Sequence, residues 1–152
     1  MDEAALIEME GEELTGIRTV RLRVPARAEY IALARLALSG LADIVGFPDE
    51  LLADLKLALT EAVSNSVRHA YTPSGEAGQV EITYELRADH LRVEVVDDGA
   101  GFDPERPPAL EGEELSEGGL GIAIIRTVAD ELEIESRPGV RGSRLSFVKK
   151  LV

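Results

Sequence analysis

The sequence predicts an α+β fold: a two-layer α/β sandwich, with a mostly antiparallel mixed sheet and helices on one face. Three observations lead there. Several short segments alternate apolar and polar residues with a period of two, as half-buried strands do. Two long stretches between positions 27 and 69 repeat apolar residues every three to four positions, as amphipathic helices do. Strands and helices are also segregated along the chain, which favours an antiparallel sheet over alternating βαβ units. The 152 residues suffice for one domain, 1–152, with a real core.

In chain order, residues 1–16 are acidic and interrupted by Gly11 and Gly16, which predicts a frayed lead-in. Val20, Leu22 and Val24 then alternate with Arg21 and Arg23 in a strand that Pro25 ends. With Arg18 and Arg27 this strand forms a basic cluster. It reads either as an exposed face carrying balancing charge or as a docking surface for an acidic partner. Ile31, Ala34, Leu38, Leu41 and Val45 mark a helix from Arg27 to about Ile44, closed by Gly46-Phe-Pro48. Asp49 opens a second helix that reaches about His69. A loop over 71–78 precedes two alternating segments, Val80 to Leu86 and Leu91 to Val95, spaced as a hairpin. Residues 102–118 are rich in Pro and Glu and predict a long functional loop. Gly119-Leu120-Gly121 opens a third helix, through about Asp130. Leu132 and Ile134 suggest a strand, Pro138-Gly139 a turn, and Leu145, Phe147 and Leu151 a last strand.

Composition excludes several functions. The chain has no cysteine and two histidines, so a disulfide scaffold, a thiolate metal site and a cysteine nucleophile are ruled out. A net charge of −13 argues against nucleic-acid binding and against an anionic membrane surface. The acidic start lacks the features of a signal peptide, and the apolar run 31–47 is too short to span a bilayer. A soluble, cytoplasmic protein is expected.

Three segments bear chemistry. In the second helix, at about 100° per residue, Leu52, Leu55, Leu59, Ala62, Val63, Ser66 and Ala70 share one face. Glu61, Asn65, Arg68 and His69 share a polar arc, where a carboxylate and an amide four apart can meet one ligand or simply face solvent. Asp97-Asp-Gly99-Ala-Gly101 follows a strand. Its carboxylate can accept a hydrogen bond from an amine such as adenine's, and its glycines let backbone approach a flat ligand, although Asp-Gly alone often marks a turn. Gly118-Gly119-Leu120-Gly121 lies at a helix start, where free N–H groups suit a phosphate. No GxxxxGK[ST] sequence occurs, which excludes a P-loop NTPase.

Taken in order, Glu61-Ala-Val-Ser-Asn65-Ser-Val-Arg-His69-Ala, Asp97-x-Gly99-x-Gly101, Gly119-x-Gly121 and Gly142-Ser143 resemble the N, G1, G2 and G3 boxes of the GHKL ATPases. That superfamily has the Bergerat, or histidine-kinase-like ATPase, fold and includes gyrase, Hsp90, sensor histidine kinases and MutL. Over residues 18–150 the chain looks most like the bacterial anti-sigma-factor serine kinases. The resemblance implies ATP and Mg²⁺ as ligands. Asn65 would hold the metal, Asp97 recognise adenine, and Gly99 and Gly101 let the chain pass the base. Gly119, Leu120 and Gly121 would cradle phosphates, with His69 and Ser143 assisting at the nucleotide and 102–118 as the ATP lid. Arg68, His69, Arg106 and Arg126 are further candidates for offsetting phosphate charge.

Glu61 would orient, and deprotonate, a serine hydroxyl on a partner protein. The implied function is an ATP-dependent protein-serine kinase and anti-sigma factor. It would sequester a sigma factor, phosphorylate an anti-sigma-factor antagonist of the STAS type and act as a homodimer. The rivals are a non-catalytic ATP-binding regulatory module, a detached histidine-kinase-type catalytic domain and a structural domain without ligand. Glu61 separates enzyme from binder.

Overall fold

A computed structural model describes residues 6–12, 17–70, 78–99, 119–137 and 139–151. Gly101, the proposed lid at 102–118 and most of the 71–78 loop lie outside the described residues.

The described chain forms strands β1 (Leu6–Glu12) and β2 (Ile17–Pro25), then a 3-10 turn (Ala28–Tyr30) leading into α1 (Ile31–Val45). Next come α2 (Asp49–Ala70), β3 (Gln79–Leu86) and β4 (His90–Asp97). Helix α3 (Gly119–Val128) and strands β5 (Glu131–Glu135) and β6 (Ser143–Lys150) complete it. The sheet has six strands in the order β1-β2-β3-β4-β6-β5. Each pairing among the described residues is antiparallel, so the expected mixed character is absent from them.

Period-two alternation sends Leu22 and Val24, Ile82 and Tyr84, Val93 and Val95, and Leu145 and Phe147 to one sheet face. Against them α2 sets Leu55, Ala58, Leu59, Ala62 and Val63, α1 sets Ala34 and Leu38, and α3 sets Ile125. Fully burying each large aliphatic side chain contributes about 1.5–3 kcal/mol. The Tyr84 hydroxyl, deep in this layer, donates to the Ala34 carbonyl at 2.7 Å, tying β3 to α1, and burial pushes its pKa up. The opposite sheet face is polar. Arg144 bridges Glu94 at 3.2 Å and Glu135 at 3.0 Å, and Arg23 meets Glu81 at 3.5 Å; exposed pairs like these add little stability.

Helix boundaries follow local chemistry. Gly46 adopts φ 89°, and its N–H caps the Ala42 carbonyl at 2.7 Å, ending α1 before Pro48. Asp49 and Glu50 occupy the first turn of α2, and Arg68 its last, each sign matched to the helix dipole.

One expectation is corrected. Residues 6–12 of the expected lead-in form an edge strand antiparallel to β2, in a register that sets Glu8 opposite Arg21 and Met9 opposite Val20. The acidic composition masks a period-two alternation of Ile7 and Met9 with Glu8 and Glu10.

Candidate functional site

The site is arranged along α2. Glu61 and His69 stand eight residues apart, about 12 Å of helical rise.

At the C-terminal end of α2, β4 and β6 bring Asp97 and Ser143 together as register partners. Both are buried. The Ser143 hydroxyl donates to Asp97 Oδ2 at 2.6 Å, and the Gly99 N–H donates to Oδ1 at 2.9 Å. A carboxylate in so dry a position is held by these charge-assisted bonds. The Asp97-Asp-Gly99 turn packs directly on the helix end, because a Cβ at Gly99 would collide with the His69 carbonyl oxygen and come within 2.9 Å of Ala70 Cα. Gly99 is therefore required by close approach to protein backbone. Its φ is not positive, unlike that of Gly142, which lies at 88° and donates its N–H to the Gly99 carbonyl at 2.6 Å.

His69 is half-buried, and its Nδ1–H donates to the Asn65 carbonyl at 2.6 Å. Burial lowers its pKa below the usual histidine value; the nearby Arg68 lowers it too, against the raising effects of the Asn65 carbonyl and Asp97. The ring is neutral at pH 7, so it supplies no positive charge for phosphate.

One turn earlier, Asn65 is 2% exposed, although the helical wheel sets it on the polar arc. Its Oδ1 is buried and has no hydrogen-bond partner among the described residues. A hard, unpaired amide oxygen of this kind fits a Mg²⁺ ligand. Among the described residues no group of three or more His, Asp or Glu side chains forms a metal cage.

At the remaining end, Glu61 meets the first turn of α3. Gly121 is buried there, with the Glu61 side chain over the place a Cβ would take, while Leu120 is 43% exposed. Gly119 begins the helix, so the N–H groups of that turn have no partner within the helix. Glu61, Asn65, His69, Asp97, Gly99 and Ser143 thus line up with the start of α3 along one helix. Of the expected site residues, Gly101 and the candidate Arg106 fall outside the described residues. The contact between Gly121 and Glu61 has no sequence signal, since it depends on how α3 docks on α2.

An open cavity of about 660 Å³ lies elsewhere, on the polar sheet face, with Arg87, His90, Arg92 and Lys150 in its wall. It sits at the opposite end of β4 from Asp97, about 23 Å away along the strand. Among the described residues no helix is long and apolar enough to cross a membrane.

Sheet order, one helical layer and the carboxylate-to-amide run along α2 define a two-layer sandwich of the histidine-kinase-like ATPase type. The family model "Histidine kinase-like ATPase domain" matches residues 24–149. The chain belongs to this family, within its branch of serine-protein kinases. It is 37% identical over 129 residues to Serine-protein kinase RsbW of Oceanobacillus iheyensis, covering 80% of this chain and 81% of that one. It is 36% identical over 139 residues to Serine-protein kinase RsbW of Staphylococcus aureus, covering 86% and 87%. A solved structure of the RsbU and RsbW domains of a Mycobacterium tuberculosis protein superposes with TM-score 0.61 at 21% identity, over 86% of this chain and 32% of that one. A histidine kinase domain from Erythrobacter litoralis gives 0.53 at 22% identity, over 84% and 62%. The last two comparisons show the fold alone.

Proposed function

We propose that the chain is an ATP-dependent protein-serine kinase and anti-sigma factor, which sequesters a sigma factor and phosphorylates a serine of a STAS-type antagonist in the cytoplasm, as a homodimer. The relatives named serine-protein kinase support the reaction class. The observation that carries the site is the buried, unpartnered Asn65 Oδ1, placed between Glu61 and the Asp97–Ser143 pair.

The adenine amine would donate to Asp97, whose carboxylate is already fixed by Ser143 and Gly99. The N–H groups at the start of α3 would face the phosphates. Asn65 Oδ1 would be the protein ligand of Mg²⁺, which when bound neutralises charge on the β- and γ-phosphate oxygens. Glu61, half-buried beside that helix start, would accept the proton of the partner's serine hydroxyl. The serine oxygen then forms a bond to the γ-phosphorus, the bond from that phosphorus to the β–γ bridging oxygen breaks, and ADP leaves. Neutral His69 would assist by hydrogen bonding, and 102–118 would close over the nucleotide.

Incubation with γ-labelled ATP and purified candidate antagonists tests the reading. Phosphoserine on one of them is expected. Acid-labile label would point instead to histidine-kinase chemistry, and a lack of label on every candidate would leave a binding module.

A further inference from the structure

We propose that Gly121 is a positioning residue for Glu61: its missing side chain makes the space in which the Glu61 carboxylate rests against the first turn of α3. The inference rests on the reading of Glu61 as the proton acceptor and adds the element that aims it.

Gly121 stands inside the first turn of α3, where glycine is a poor helix former. Its backbone does not require glycine, because the described glycines with positive φ are Gly46, Gly139 and Gly142. What it requires is room. A Cβ at position 121 would lie 2.9 Å from Glu61 Oε1 and 3.9 Å from both Cβ and Cδ of Glu61. These three nearest atoms all belong to one side chain, which therefore lies over the place a Cβ would take.

The surroundings cannot yield in its place. Ile125 of α3 is fully buried, Ile122 nearly so, and Ala62, next to Glu61, is fully buried as well. A methyl at 121 would thus displace the Glu61 carboxylate, the far end of a flexible side chain, and leave the two helices where they are. Gly99 differs, because there the colliding group is the backbone of α2. The two glycine boxes have separate tasks: Gly99 seats a turn, whereas Gly121 holds the carboxylate beside the N–H groups proposed to face the phosphates.

Gly121→Ala in the full chain is the test. Gly121 also belongs to the turn proposed to face the phosphates, so any rise in the Kd for Mg·ADP is measured by calorimetry, and kcat for antagonist phosphorylation should fall at least about tenfold beyond that rise, a fraction of what proton-transfer catalysis supplies. In a Glu61→Asp background, whose side chain is one methylene shorter, the same substitution should cost under about threefold, a non-additivity that marks direct contact. A second readout needs no activity. The ¹³C resonance of the Glu61 carboxyl, assigned with Glu61→Gln, should move in nucleotide-free Gly121→Ala. Equal losses of nucleotide affinity and kcat, equal costs in both backgrounds, or an unmoved resonance would each overturn the proposal. If wild type transfers no phosphate but the resonance moves, the contact stands and the kinase reading falls.

Discussion

Burying an amide oxygen without a donor costs about 1–3 kcal/mol. Asn65 Oδ1 bears that cost in the C-terminal third of α2, on a residue 2% exposed. A ligand that binds the oxygen recovers it, which is the physical case for a metal there. Asn65→Ala should leave the urea midpoint of the apo protein nearly unchanged, because removing the orphan offsets the lost packing. The same variant should lose the stabilisation that Mg·ATP gives wild type, about 2.7 kcal/mol at 100 times the Kd. His69 yields a pH prediction. Its folded pKa lies below the unfolded value of 6.5, so the unfolded chain binds the proton first as pH falls. Stability is therefore full above 6.5 and declines below it, down to the folded pKa. Urea melts at pH 7.5 and 5.5 should show a smaller decline in His69→Gln than in wild type.

At the scale of elements, α2 is the ruler of the site, and its fixed length depends on a clean break before it. Gly46 makes that break at φ 89°, with open space around it. Gly46→Ala should cost about 1–2 kcal/mol from backbone strain alone, read as a lower urea midpoint with no change in m. Helix α2 was also the most legible element, because 22 residues of steady periodicity overwhelm local noise. Its polar arc was legible as chemistry, yet the burial of Asn65 was not. A helical wheel gives angles, whereas burial depends on what docks, and α3 docks on that side. The Asp97–Ser143 bond was hidden for a related reason: its partners are 46 residues apart and meet only through the β4–β6 register. Strand β1 leaves only a weak trace in the sequence, because its acidic residues mask the alternation of Ile7 and Met9.

At the scale of the molecule, the sheet divides two environments. One face supports the helices and, through Asp97 and Ser143, one end of the proposed nucleotide site; the other is a polar surface of arginine and glutamate pairs. Segregated strands and helices made the architecture readable from the sequence. The number of strands and their wholly antiparallel pairing among the described residues were not, since edge pairing leaves only a weak local trace. The central claim is that this scaffold holds Mg·ATP so that Glu61 can activate a serine on another protein. The most direct measurement pairs wild type with Glu61→Ala, following label transfer from γ-labelled ATP to the antagonist and the Kd for Mg·ATP in parallel. Loss of transfer by about 10²-fold or more with the Kd within about threefold is predicted. Undiminished transfer by Glu61→Ala would contradict the account.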